Sequence, residues 1–309
     1  MVAIVTGASL RQFMASVGLD PGCDPPADAK LHRFDIGKRN QRGWVINWPA
    51  SWGYPALALF GDWREAAVRH KWTGEGGKPH RLCTNRFERM QKVRRETEVA
   101  GWRAAAAGAE ARWAAASAAG TGHAYLRRKG IGPHNARLEG GNLLLPIFST
   151  GKLLSRGSIQ SLQTVTPGGR KLFSEGCTTG GGCCPLGASL ETAALVLICE
   201  GWATGATLAQ SMPGAAVLCA FSAHTLSDVA TFARRARRDA ELVVCADNDR
   251  RADGSRNTGL EDGKRAAKAA GCAIAWPDFA DAEAGTDFND LQALSGLRAV
   301  GAAIRKVLK

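Results

Sequence analysis

Long apolar runs are missing from this chain. No stretch approaches the ~18 consecutive apolar residues that a membrane-spanning helix needs. Residues 1–20 also lack the basic start, long apolar centre and small-residue cleavage site of a secretory signal. A cytoplasmic protein with no membrane partner is the expectation. Nine cysteines are present, but no C-x-x-C pair occurs among them. Cys177, Cys183 and Cys184 lie in a glycine-rich stretch with no histidine nearby, so the ligand spacing of a zinc site is missing. No role for residues 177–184 is legible in the sequence. Cys199, Cys219 and Cys245 fall in apolar runs and read as buried thiols. No G-x-x-x-x-G-K-[ST] occurs, which argues against a fused helicase of the P-loop type. Tyrosine is scarce, with only Tyr54 and Tyr125.

The 309 residues suffice for two domains or three small ones, and 45% apolar content supports a sizeable core. The net charge of +12 is unevenly spread. Residues 1–150 carry 22 lysines and arginines against 12 acids, whereas 151–309 carry 18 against 16. A basic half beside a nearly neutral half suits a polyanionic partner, or a surface that merely aids solubility.

After a short helix around Leu10–Val17, the breakers Asp20-Pro21-Gly22 and Pro25-Pro26 open a different pattern. His32–Phe34, Gly43–Trp48 and Ala56–Phe60 read as short strands. Trp44, Trp48, Trp52, Trp63 and Trp72 fall in this region, interleaved with Lys38, Arg39, Arg42, Arg64, Arg69 and Lys71. Aromatics among cations can stack bases while the cations hold phosphates. A small antiparallel sheet with tryptophan in its core is the plainer reading of each ring taken singly. Residues 85–119 contain no proline and predict one long helix, or two broken near Gly101 or Gly108, spanning roughly 50 Å. Residues 121–192 read as mostly β, with strands at Asn142–Phe148 and Ile159–Val165. From residue 194, apolar strands alternate with helices: strands at Ala194–Cys199, Ala216–Ala220, Glu241–Ala246 and Ala273–Trp276, helices at Ala203–Ser211, Leu226–Arg238, Leu260–Ala270 and from Asn289. That order predicts a parallel sheet covered on both faces. The predicted fold class is α/β (α+β overall): a basic, Trp-rich, β-rich module (1–84), a helical linker (85–120), a mixed α/β subdomain (121–192) and a Rossmann-like unit (193–309).

Ligands of such sheets sit beyond the carboxyl ends of the strands, where Glu200, Asp247 and Asp249 stand. Alternate residues share a side, so a D-x-D can direct both carboxylates into one crevice. Magnesium is commonly held by one or two carboxylates plus substrate phosphates. Glu200 could complete the site or move a proton. Asp287, in Thr286-Asp287-Phe288-Asn289-Asp290-Leu291, reads equally as a helix cap or a site residue.

Ile198-Cys199-Glu200-Gly201-Trp202-Ala203-Thr204, then Val243–Asp249, then Thr286–Leu291, resemble the Toprim domain of plasmid- and phage-type DNA primases, relatives of the bacterial DnaG-type primase. Tyr125–Ile131 and Leu145-Pro146-Ile147 resemble the start of the same catalytic core. Lys30–Phe34, Gly43–Val45 and Phe60–Arg64 resemble the amino-terminal module of such enzymes. The resemblance implies a two-part polymerase core making short RNA primers on single-stranded DNA from ribonucleoside triphosphates, with Mg2+ or Mn2+. It implies that Glu200 is the motif glutamate, that Asp247 and Asp249 hold metal, and that Asp287 is a further acidic position. Arg127, Arg128, Lys129 and Lys171 would line the template or nucleotide path, and any helicase partner would be a separate chain. Two departures stand out: Thr204 occupies a position where the family carries an aspartate, and no zinc-ribbon ligand set precedes the core. The same fold also serves topoisomerases, nucleases and catalytically silent modules. Neither tyrosine lies in a recognisable DNA-cleavage domain, whereas a Toprim nuclease and a non-catalytic single-strand-binding accessory protein stay open as alternatives.

Overall fold

The structure, a computed structural model, describes residues 9–50, 55–65, 69–74, 81–250, 257–279 and 285–308, the side chains of 38–40, 81–91 and 94 excepted. Trp52, Tyr54 and His80, and the side chains of Lys38, Arg39 and Cys83, therefore lie outside the described residues. Two compact units divide the chain, Met1–Arg95 and Glu96–Lys309.

The first unit opens with α1 (Leu10–Ser16). Its start is fixed by a capping box in which Ser9 Oγ accepts from the Gln12 N–H while Gln12 Oε1 accepts from the Ser9 N–H. Four strands follow in an antiparallel meander: β1 (Leu31–Ile36), β2 (Lys38–Trp48), β3 (Leu57–Asp62) and β4 (His70–Thr73). Phe34, Val45, Ala58 and Phe60 point to one face, where they pack with Leu10, Phe13 and Met14 of α1. Gly43 is required there: a Cβ would lie 2.2 Å from the Phe34 ring. Of the described tryptophans, Trp72 packs against this core, whereas Trp44 and Trp48 are half-buried and Trp63 is exposed.

Helix α2 (Arg81–Ala115) passes Gly101 and Gly108 without a break and ends earlier than residue 119. It stops because Ser117–Ala118 form β5 instead. At its carboxyl end Arg112 donates to both oxygens of Glu139 at 3.0 and 2.5 Å, while Ala109 and Trp113 pack on Leu144, Ile159 and Leu162.

The remaining elements are α3 (Ala124–Lys129), β6 (Arg137–Glu139), β7 (Asn142–Ser149), β8 (Ile159–Val165), β9 (Lys171–Phe173), β10 (Gly182–Gly187), β11 (Leu195–Cys199), α4 (Trp202–Ser211), β12 (Ala216–Cys219), α5 (Leu226–Ala236), β13 (Glu241–Cys245), α6 (Thr258–Ala270), β14 (Ala273–Ala275) and α7 (Phe288–Arg305), kinked at Gly296. The mixed α/β class read from the sequence is the observed one. Strands β14, β13, β11 and β12 pair in parallel, with helices on both faces.

The parallel sheet is not a separate body. Strand β10 pairs antiparallel with β12 on one side and with β7 on the other, joining all ten strands from β5 to β14 into one sheet. This strand is built from the glycine- and cysteine-rich stretch that had no legible role. Gly182 is needed at the seam, where a Cβ would meet Ile147 Cγ2 at 2.6 Å and Gln160 Nε2 at 2.8 Å. Cys183 and Cys184 are buried, and burial pushes both thiols up to about 12, as suits packing groups rather than metal ligands.

Candidate active site

Strands β11 and β13 run in register with Cys199 opposite Cys245. Glu200 therefore leaves the sheet level with Ala246, one residue before Asp247. The backbone beyond the strands is pinned: Ala246 N–H donates to the Ala275 carbonyl at 2.9 Å, Asn248 N–H to the Thr286 carbonyl at 2.7 Å, and Phe221 N–H to the Glu200 carbonyl at 2.8 Å. The loops after β11, β12, β13 and β14 are thus drawn together at one edge.

The carboxylates there feel one another. Asp247 is pushed far above the ordinary aspartate range, first by burial, then by the charges of Asp287, Glu200 and Asp249. Its Oδ1 is closed off from solvent and accepts no hydrogen bond from the protein. Glu200 is raised by burial and by Asp249, with a smaller contribution from Asp262, while the Ala223 N–H and the charge of Lys171 act the other way. Lys171, on β9 of the preceding subdomain, also offsets the shift of Asp247. The structure therefore brings Glu200, Asp247, Asp249, Asp287 and Lys171 into one electrostatic neighbourhood.

Among the described residues, no three or more His, Cys, Asp or Glu side chains converge as a ready ligand shell. Magnesium does not require one, since it keeps waters and takes one or two carboxylates together with phosphates. An orphaned buried Asp247 oxygen beside like charges fits a hard cation: the cation would satisfy the oxygen and cancel the repulsion.

Asp249 is held by α6. Its Oδ2 accepts from the Gly259 N–H at 3.1 Å, and its own N–H donates to Asn257 Oδ1 at 3.0 Å. Asn257 also caps α6, accepting from the Leu260 N–H at 3.1 Å, and donates to Asn248 Oδ1 at 2.8 Å. Gly259 leaves the space this needs, because a Cβ would stand 2.7 Å from Asp249 Oδ2 and 2.8 Å from the Asp247 carbonyl oxygen. Neither Asn257 nor Gly259 was singled out by sequence reasoning. The available signal was an Asn-Thr-Gly start to a helix, which reads as a cap and says nothing of a carboxylate packed against it.

Thr204, in the position where a carboxylate was expected, is buried on α4 and donates from Oγ1 to Asp287 Oδ2 at 3.1 Å. Asp287 is also the cap of α7, in a capping box with Asp290. Cap and site member are here the same residue.

The cationic helix α3 is tied to this edge. Asn289 Nδ2 donates to the Lys129 carbonyl at 2.8 Å and to Thr207 Oγ1 at 2.9 Å, and Gln292 Nε2 donates to the Gly130 carbonyl at 2.8 Å. Lys129 Nζ lies 3.7 Å from Asp290 Oδ1. Arg128 stacks on Tyr125 at 5.6 Å and donates to the Pro167 carbonyl at 3.1 Å, and Arg127 is exposed. Buried Tyr125 has its phenol pushed up to about 12 by burial and by Asp287, the wrong direction for a nucleophile.

Residues 195–297 match the Toprim domain family, a fold that generally binds divalent metals. Along 298 residues, 89% of its length, the chain is 26% identical to DNA primase TraC of Escherichia coli, covering 26% of that protein. A second DNA primase TraC of Escherichia coli is 30% identical over 166 residues, 52% of this chain and 11% of that protein. The chain thus spans about a quarter or less of these curated relatives. Among solved structures, a chain from bacteriophage T7 lagging-strand DNA polymerase interacting with primase domains of two gp4 subunits matches 62% of this chain and 90% of its own, at TM-score 0.41 and 11% identity. The Toprim resemblance read in the sequence and the similarity to DNA primases agree.

Proposed function

We propose that the chain is a DNA primase that joins ribonucleotides into short primers on single-stranded DNA, with Mg2+ or Mn2+ as its cation. The observation that carries this is the orphaned, electrostatically loaded Asp247, which feels the charges of Asp287, Glu200 and Asp249 and, in the other direction, of Lys171, in a chain similar to TraC primases along 89% of its length. Asp247 and Asp249 are the proposed cation ligands, with Glu200 and Asp287 completing the acidic edge. A bound cation would stabilise charge at the reacting phosphoryl group and favour deprotonation of the attacking 3′-hydroxyl. The residues themselves do the rest. The Gly259 N–H fixes Asp249, and Thr204 fixes Asp287. Lys171 would hold an incoming triphosphate, and Arg127, Arg128 and Lys129 would hold template phosphates through a salt-sensitive contact.

In domain terms the proposed division is 1–84, 85–120, 121–192 and 193–309, with a separate helicase as partner. The test is incubation with single-stranded DNA, labelled ribonucleotides and Mg2+. New short RNA is expected, lost in Asp247→Ala while single-strand binding persists. Shortened DNA would make the protein a nuclease. Neither product, with binding retained, would make it an accessory protein.

A further inference from the structure

In the amino-terminal sheet, α1 covers one face, while the other combines aromatic rings with cations. Directly paired residues share a face. Arg33 pairs with Trp44, Leu31 with Ile46, Ile46 with Leu59, Leu59 with Lys71, and Trp48 with Leu57. Opposite Trp44 stands Gly61, which has no side chain to cover the ring. Trp63, just past β3, stands against Trp44 with ring centroids 5.9 Å apart, and the Arg33 guanidinium lies 5.4 Å over the Trp63 ring. These groups keep contact with solvent: Trp63 is 48% exposed, Arg33 is exposed, and Trp44, Trp48, Leu57, Leu59 and Lys71 are half-buried.

We propose that this face is a single-stranded-DNA platform, with bases stacking on Trp44, Trp48 and Trp63 and with Arg33 and Lys71 holding phosphates. Trp44 and Trp48 lie four residues apart on one strand and one face, about 13 Å along it, which leaves room for more than one base between them. Charge complementarity identifies the occupant. Residues 30–74 carry eight lysines and arginines against Asp35, Asp62 and Glu65. Asp35 accepts from the Gln41 N–H at 2.7 Å, and Asp62 is engaged by Arg42 and by the Arg64 N–H. Two of the three acids are therefore already occupied. A duplex hides its base faces inside its own stack, whereas unpaired bases offer them to aromatic rings. This site is separate from the acidic edge of the Toprim domain and does not depend on its chemistry.

The test is anisotropy of a labelled oligothymidylate titrated with the full chain in EDTA, without nucleotides. Trp44→Ala/Trp63→Ala is expected to weaken binding by roughly ten-fold or more, the scale of losing one or two stacked bases. Trp44→Phe/Trp63→Phe should recover most of it. Arg33→Glu/Lys71→Glu, which leaves the α1-covered core intact, should weaken binding and flatten its salt dependence. Unchanged affinity in either the alanine or the charge-reversal variant overturns the proposal. So does tighter binding of a duplex than of the single strand. Loss of self-association in the alanine variant without loss of DNA binding would instead assign the face to a second copy of this chain. Asp247→Ala should bind like the parent, so a failure of primer synthesis and a failure of this platform give different results.

Discussion

The two sheets of this chain spend charge in opposite ways. In the amino-terminal sheet, burial works against ionising Asp62, yet the Arg64 N–H and the Arg42 guanidinium together hold its carboxyl below the ordinary range. In the Toprim sheet, Asp247 is buried among like charges and pushed far above that range. One aspartate stabilises the fold that holds it, whereas the other is a load on its fold. The difference shows where ligand chemistry is placed: at a strand end whose carboxylates the protein itself does not satisfy, carried by parallel strands buried on both faces.

The same substitution should therefore have opposite signs in the two sheets. Asp247→Asn is expected to abolish primer synthesis and, in metal-free buffer at pH 7, to raise the unfolding midpoint of the carboxy-terminal unit. With a raised folded pKa, the folded state holds the extra proton, so the contribution of Asp247 to stability falls as pH rises from about 4 toward the folded value. A lower midpoint in Asp247→Asn would break the comparison. Gly259→Ala comes next. Its Cβ must displace the Asp247 carbonyl or the Asp249 carboxylate, at about 1–3 kcal/mol of overpacking. Synthesis and Mn2+ affinity, read by paramagnetic relaxation, should both drop while the oligothymidylate affinity holds.

Thr204 sharpens the same site. Thr204→Val removes the donor to Asp287, a hydrogen bond to a charged group worth about 1.5–3 kcal/mol, and should lower stability in urea. Thr204→Asp should repel Asp287 and behave worse than valine without cation, then recover partly as Mg2+ is added. Equal behaviour of the two variants would show that the hydroxyl only fills space. The smallest effect is expected from Asp62→Asn, a modest loss of stability at pH 7. With a depressed folded pKa, the contribution of Asp62 is present above about pH 4–5 and is lost as pH falls through the folded value. The asparagine variant should thus lose part of the acid-side slope of the melting curve.

Much of the Toprim region was legible because its strands are short apolar runs buried on both faces, a signal little affected by context. Leu195–Cys199 and Glu241–Cys245 fall within a residue of their expected bounds. The adjacency of Glu200 and Asp247 needed β11 to pair with β13 past the intervening β12, whereas their position beyond the carboxyl ends of the strands followed from the alternation of strands and helices. The pairing of Thr204 with Asp287 did not, since it joins residues 83 apart in the chain. Strand β10 was illegible for a different reason. Its Gly-Cys-Cys-Pro-Leu-Gly composition is poor in strand formers, and only the neighbours on both sides, β7 and β12, make it a strand. The unbroken α2 shows the converse, an alanine-rich context carrying two glycines that local propensity counts against a helix.

Strand β10 also decides where this protein can be divided. The Toprim match begins at residue 195, after that strand has been laid down. A fragment cut to the family boundary would carry β12 with one row of N–H and C=O groups unpaired along Cys219 to Ala216, an invitation to pair with its own copies. Solubility of the isolated domain therefore depends on six residues that lie outside it.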